Sequence, residues 1–392
     1  MQYRENKRNQ DKLSLLGYGC LRFPKKGNAI DQEKTETLLK IAYEQGVNYY
    51  DTAYIYPGSE VALGKFLAKG YRKNVFIADK IPHYLVKKTE DFDSYLDEML
   101  KRLQTEYIDY FLLHMLNDVN SFHRLEALGL REWIEKQKQA GRIKRIGFSF
   151  HGTTEMYLQV LDAYDWDFTQ VQYNYMDEHS QAGKKGVVAA YKKGIPMIIM
   201  EPLRGGKLVQ GLPDSVRKMM EKEMHHFSPA EWGLRWLYNQ KEISVVLSGM
   251  NEEQQVIENL RIASEASIDS FDEQQHRFIE DVKTEICKFI KVPCTGCGYC
   301  KPCPVGVDIP SCFGAYNTKF TDGYVKAMTE YLRCTTLKTT PTNASLCIKC
   351  GKCEMHCPQG LQIRNYLQDV KRGLEGPFYP IVSYVAKKIA RF

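Results

Sequence analysis

For most of its length this sequence is nearly without cysteine. Cys20 stands alone before residue 287, and the other eleven of the twelve lie from Cys287 onward. That distribution does not suit a disulfide framework spread through a secreted fold, and the late crowding of thiols argues for metal ligation. No apolar run approaches the ~20 residues that cross a bilayer. The opening stretch, MQYRENKRNQDK, has no apolar h-region, so the reducing cytoplasm is the expected compartment. Long blocks of Lys or Arg are missing too, and a net charge of +6 over 392 residues is mild, so nucleic acid is not an expected partner. There is no low-complexity segment. What remains is 43% hydrophobic and 12% aromatic, the composition of a globular protein. The length exceeds what one core commonly serves, so two domains are expected.

The first of these reads as a repeating unit. After an apolar run at residues 13–20 (LSLLGYGC), a helical pattern from Asp31 to Gln45 ends at Gly46. Short apolar runs then alternate with helical periodicity. Strands are expected at 47–52, 75–79, 108–114, 145–150, 168–173, 196–201 and 243–248, each followed by a helix. Runs apolar on both faces suit a parallel sheet covered by helices. Eight such units predict a (β/α)8 TIM barrel, with a doubly wound open sheet as the alternative. From about Ser270 the pattern changes to a charged amphipathic helix and then to closely spaced cysteines. The expected division is a barrel over residues 1–285 and a small α-helical, ferredoxin-like iron–sulfur domain over 286–392.

In a barrel of this type the site lies at the C-terminal ends of the strands. Asp51 and Tyr56 lie in DTAYIYPGSE at the end of the second strand, Lys80 closes NVFIADK, and His114 closes IDYFLLH. Reduction of a carbonyl by hydride leaves charge on its oxygen, so the site needs a proton donor. A phenol has a pKa near 10 and donates reluctantly at neutral pH. An adjacent ammonium favours the phenolate and lowers that value. Tyr56 is therefore expected as the acid, Lys80 as its tuner, Asp51 as the anchor of Lys80, and His114 as the donor that orients the substrate oxygen. Taken singly, each would read as an ordinary strand-end polar residue.

These residues resemble the tetrad of the aldo-keto reductase family. DTAYIYPGSE is similar to the family motif DTAxxYGxSE, with Pro57 in place of its first Gly. The resemblance covers roughly residues 13–265 and implies a nicotinamide cofactor. Ser149 and Gln172 correspond to family positions that bond the nicotinamide amide. The stretch MEPLRGGKL, with Leu203 and Gly205, resembles the seventh loop that covers the cofactor. SGMNEEQQVIENL resembles the dinucleotide end, with Ser248, Gly249, Gln255, Glu258 and Asn259 matching. Members that prefer NADP tend to carry Lys or Arg just after that Gly. Here Asn251, Glu252 and Glu253 follow Met250. Carboxylates repel a 2′-phosphate and accept bonds from ribose hydroxyls, so NAD is expected over NADP, with FMN left open.

The cysteine runs are Cys294, Cys297, Cys300, Cys303 and Cys347, Cys350, Cys353, Cys357, each followed by proline. The second has the bacterial ferredoxin spacing for a [4Fe–4S] cluster, and the first is one residue short in its last gap. Zinc is the alternative for paired Cys-x-x-Cys, but four cysteines in succession with a trailing proline, found twice, favour two [4Fe–4S] clusters. Two wirings stay open. In one, Cys303 and Cys357 each cross to the other run's cluster, as in two-cluster ferredoxins. In the other, each run is self-contained. Cys287, Cys312 and Cys334 are expected as buried thiols, and Cys20, at the end of the first strand, as a packing residue with pocket lining as the alternative. The tail, YPIVSYVAKKIARF, is expected as a packed helix, and a membrane is not an expected partner. The chain as a whole resembles the bacterial aldo-keto reductases that carry a ferredoxin-type domain. The expected partners are a small carbonyl substrate and a ferredoxin or other redox protein. Three readings follow. The barrel reduces a carbonyl while the clusters exchange electrons with a partner or flavin. It is an NAD(P)H-dependent reductase with structural or redox-sensing clusters. Or it is an electron-transfer protein that no longer catalyses.

Overall fold

The computed structural model describes residues 1–6, 8–296, 298–321, 323–337 and 340–389. Eight parallel strands close a barrel: β1 (Leu16–Gly19), β2 (Tyr49–Asp51), β3 (Phe76–Ile81), β4 (Ile108–Leu116), β5 (Ile143–Phe150), β6 (Phe168–Gln172), β7 (Met197–Met200) and β8 (Ile243–Ser248). Neighbours follow sequence order around the ring, and β8 pairs with β1 to seal it. The TIM-barrel expectation holds, and the open sheet is excluded.

Large side chains fill the interior, as the alternation of short strands demands. Tyr49, Ala78, Tyr110, Leu112, Phe168, Ile198, Val245 and Leu247 form one buried cluster with Leu13. Its aromatic rings meet edge to face: Tyr49 to Tyr110 at 5.2 Å and Tyr110 to Phe168 at 4.8 Å. Such pairs gain from quadrupole geometry beyond simple area burial. Leu13 comes from outside the ring. The run 13–20, expected as one strand, is broken: Lys12–Ser14 pairs antiparallel with Tyr3–Glu5, and only Leu16–Gly19 enters the barrel. Asn48 accepts from Ser14 N and Ser14 Oγ donates to Leu16 O, both at 2.8 Å, which turns the chain between the two pieces.

Amphipathic helices cover the outside. Gln32–Glu44 is capped by Asp31, which accepts from Lys34 N, and buries Leu38, Leu39 and Ala42. Thr89–Leu103 buries Phe92, Leu96, Met99, Leu100 and Leu103 on one stripe, the spacing of a core-facing helix. An additional helix, Val119–Glu126, follows β4 and starts at an Asp118 cap.

The chain divides into two compact units. One comprises 1–205 and 230–272, and the other 206–229 and 273–392. This division assigns the helix Glu273–Cys287 and an excursion after β7 to the cysteine-rich unit, whereas a cut at 285 leaves them with the barrel. Within that unit the excursion's helix, Asp214–Lys222, packs on Glu273–Cys287, and Val216, Met220, Ile279, Val282 and Ile286 are buried. Helices Ile309–Thr321, Tyr324–Tyr331 and Ile363–Leu374 build a second core from Phe313, Ala327, Tyr331, Leu367 and Val370, with six of the cysteines of the two runs packed against it. The tail forms the helix Tyr379–Ile389. Among the described residues no helix is long and apolar enough to cross a membrane.

Candidate active site

Asp51 ends β2 and Lys80 lies near the end of β3, both nearly sealed from solvent. Lys80 Nζ donates to Asp51 Oδ1 at 2.5 Å and to the Thr52 carbonyl at 2.7 Å. Gln170 Nε2, on β6, donates to the other Asp51 oxygen at 2.9 Å. Both carboxylate oxygens therefore accept, the arrangement of an ionised acid. Burial pushes the Asp51 carboxyl up, while Lys80 and Gln170 pull against it. Burial alone would lower the Lys80 ammonium, but Asp51 and Tyr56 outweigh it and hold it above its usual value. The pair is charged at neutral pH.

Tyr56 follows in the loop that leads to the helix Ser59–Phe66. The Lys80 ammonium lies 5.3 Å from the centre of its ring. Lys80 pulls the phenol down, as expected, but burial and the neighbouring Asp51 outweigh it, so the net direction is up. Sequence reasoning identified the cation and missed the desolvation that opposes it. His114 faces Tyr56 edge to face, with ring centres 5.9 Å apart. It sits where the β4–β5 register slips between Leu113 and Leu116, beside Met115 at φ 64°. An irregularity of this kind re-aims a side chain. Burial and then Lys80 push the His114 imidazole well below its usual value, so it is neutral. Its Nδ1 is buried with no hydrogen-bond partner among the described residues, a polar atom left for something the pocket receives. All four expected side chains thus meet at one end of the barrel.

The expected cofactor residues are partly engaged elsewhere. Ser149, at the end of β5, accepts from Met115 N at 2.8 Å and so braces the slipped segment. Gln172, at the end of β6, donates to Asp177 at 2.9 Å and accepts from Gln181 at 2.8 Å. Asp177 is itself gripped by Arg204 at 2.8 and 2.5 Å, a buried network that sequence reading did not find. Leu203 and Gly205 lie in the turn after β7, with Gly205 at φ 66°. Beyond β8, Asn259 donates to Ser248 Oγ at 3.0 Å, and Gln255 accepts from Asn251 N at 2.9 Å. Glu258 is half-buried on the same helix. Glu252 is paired with Lys34 at 2.6 Å, so one of the two carboxylates read as repelling a phosphate is already neutralised.

Arg22 was also missed. Its Nη1 donates to the Gly205 carbonyl at 2.9 Å. A Cβ at Gly205 would come within 2.7 Å of the guanidinium, and one at Gly249 within 3.3 Å of its stem. The side chain thus lies between the loop after β7 and the end of β8, and glycine at both places gives it room. Its signal in the sequence was faint: one cation just past the first strand.

In the other unit, Cys294, Cys300 and Cys357 line one cavity with Ile309, Phe313, Leu361 and Ile363. Burial, Glu354 and then Cys347 and Cys303 raise the Cys353 thiol to about 11, so these thiols are near neighbours. Each run's fourth cysteine therefore lies with the other run's set. Cys297 lies outside the described residues. Gly296 N donates to Cys294 Sγ and Lys349 N to Cys347 Sγ, both at 3.4 Å, the backbone-to-sulfur bonds that stabilise thiolate ligands. Among the described residues no three His, Cys, Asp or Glu converge to hold a single metal ion. A cubane instead spaces its thiolates around a cluster, and the donor set fits one.

The curated relatives that the chain matches include L-galactose dehydrogenase of Arabidopsis thaliana, 25% identical over 69% of this chain and 91% of the relative. L-glyceraldehyde 3-phosphate reductase of Escherichia coli O157:H7 is 24% identical over 67% and 87%. Among solved structures, an aldo-keto reductase from Bacillus halodurans superposes with a TM-score of 0.59 at 22% identity, covering 72% of this chain and 96% of its own. One from Klebsiella pneumoniae, in complex with NADP and acetate, gives 0.59 at 20% identity over 72% and 96%. The 4Fe-4S dicluster domain model matches residues 293–361. The aldo/keto reductase family model matches residues 15–282, well over half of the chain and the whole of the strand ring. With that match and an oxidoreductase's relatives, the chain belongs to the aldo/keto reductase family and carries a 4Fe-4S dicluster domain C-terminal to its barrel in sequence.

Proposed function

We propose that the protein reduces a small carbonyl compound by hydride and proton transfer in the barrel, with two [4Fe–4S] clusters passing electrons to or from a redox partner. The observation that carries this reading is the buried, charged Lys80–Asp51 pair beneath Tyr56, opposite a neutral His114. His114 donates a hydrogen bond to the substrate oxygen and orients it. Tyr56 then gives up its proton as negative charge grows there, and the fixed Lys80 ammonium stabilises the phenolate left behind. Asp51 keeps Lys80 charged and aimed. A bound nicotinamide or flavin supplies the hydride. The barrel mouth at Gly205, Ser248 and Gly249, where Arg22 packs, is the proposed seat of a dinucleotide. NAD is favoured over NADP by Glu253, and less by Glu252 because of Lys34. FMN is retained because a flavin, unlike a nicotinamide, exchanges single electrons with clusters readily.

The crossed wiring is the one proposed for the clusters: Cys294, Cys297, Cys300 and Cys357 for one, and Cys347, Cys350, Cys353 and Cys303 for the other. The functional division proposed is a barrel over 1–285 and a cluster domain over 286–392. Thiolate-bound clusters suit the cytoplasm. The second reading, a nicotinamide-dependent reductase with structural clusters, is separated by turnover: steady NAD(P)H-driven aldehyde reduction after cluster removal supports it. The test of the site is Tyr56→Phe. It keeps the ring and should lower carbonyl reduction by ~10²–10⁴-fold with circular dichroism unchanged. Near-native turnover removes Tyr56 from the mechanism.

A further inference from the structure

The two cysteine sets differ in their surroundings. Cys294, Cys300 and Cys357 open onto a cavity walled by residues of the unit's own core. Around Cys347, Cys350 and Cys353 the chain turns outward. Cys350 is exposed, and so are three large apolar side chains within a few residues of it: Leu346 at 38%, Ile348 at 62% and Met355 at 75%. Contiguous exposed apolar side chains rimmed by polar residues mark interaction sites. Lys349 and Lys352 stand exposed among them. The one carboxylate of this stretch, Glu354, is taken by Arg364 at 2.7 Å, and neither lysine is in an ion pair among the described residues. The stretch from Leu346 to Met355 thus exposes three apolar side chains, two lysines and one cysteine of the second run.

We propose that this face is the electron port of the protein, a docking surface for a small acidic protein with a one-electron centre. The proposal rests on the electron-transfer reading above. Apolar side chains supply the short-range contact, and the lysines steer an anionic partner into it. The transfer is one electron from the reduced carrier to the cluster of the second cysteine run. The carrier is oxidised by one electron, and no bond or proton moves.

The test uses the full chain, anaerobically loaded with iron and sulfide, and a flavodoxin as the acidic carrier. Calorimetric titration with oxidised flavodoxin measures binding. Stopped-flow mixing with its reduced form measures cluster reduction, with dithionite as the small-molecule control. Lys352→Glu is expected to weaken binding and slow reduction by ~10-fold at low ionic strength. The difference should shrink as salt rises, and reduction by dithionite should not change. Lys352→Gln should give a smaller effect in the same direction, and iron analysis confirms that both variants are loaded. The surface is wrong if wild type and both variants bind and accept electrons alike at low salt, the result expected if the carrier docks elsewhere. Preference for the basic carrier cytochrome c would overturn the assigned partner chemistry. If dithionite reduces the clusters and neither carrier does, the electron-transfer reading falls together with the surface.

Discussion

At Tyr56 two influences oppose each other. Burial holds the phenol protonated and the Lys80 ammonium favours its ionised form, with burial the larger. Lys80→Met removes the cation that opposes burial and leaves Asp51 buried without its charge partner. Such a break costs about 3–5 kcal/mol, so the denaturant midpoint should fall, and Asp51→Asn in the same chain should restore part of it. If Lys80→Met alone unfolds at the wild-type midpoint, the pair is not the anchor described. The imidazoles near the site set a pH limit. Burial holds His83 and His151 down at about 4, against about 6.5 in an unfolded chain. Between these values the unfolded state binds more protons. Their contribution is therefore intact above about 6.5 and is lost as pH falls toward about 4. Urea midpoints across that window should decline in wild type and decline less in His83→Gln; equal slopes would contradict the assignment. The tetrad was legible because Asp51, Lys80 and His114 lie at or near strand ends and Tyr56 follows Asp51 in the next loop, positions that sequence pattern marks. The net direction at Tyr56 was not, because desolvation depends on the walls of the pocket.

Strands and helices were read well where apolar runs were long enough to repeat. The eight strands answer to runs bounded by Gly, Pro or polar clusters, and the covering helices to stripes such as Phe92, Leu96, Leu100 and Leu103. The N-terminal hairpin and the helix Val119–Glu126 escaped because three to eight residues carry too little periodicity. Connections between loops escaped for another reason. Arg22 and Gly205 are 183 residues apart in sequence, and no local pattern announces their contact. Arg22 ties the turn after β7 to the rest of the mouth, and a guanidinium in that position pairs well with phosphate oxygens. Arg22→Ala should raise the NAD(P)H dissociation constant about 10-fold, as loss of one charged hydrogen bond implies, with the melting temperature little changed. Fluorescence titration measures it. Unaltered affinity would place the dinucleotide elsewhere.

At the scale of the whole molecule, the metal content sets the reading. Two clusters mean about eight irons per chain, measurable by iron and sulfide analysis of anaerobic protein. Cys303→Ala distinguishes the wirings, because Cys303 lies with Cys347 and Cys353. It should damage the cluster of the second run, seen by electron paramagnetic resonance, and loss of the first run's signal instead would support self-contained runs. The family and the presence of a cluster domain were legible from motifs. The excursion of one helix, Asp214–Lys222, which leaves the barrel unit after Gly205 before the chain returns at Ala230, was not. That detour has a consequence for synthesis. Val216 and Met220 emerge from the ribosome about fifty residues before the helix Glu273–Cys287 that covers them. At roughly 5–20 residues per second they wait several seconds with an apolar face open to chaperones. The cysteine runs follow later still, so the full set of cluster ligands exists only after every barrel strand has been synthesised.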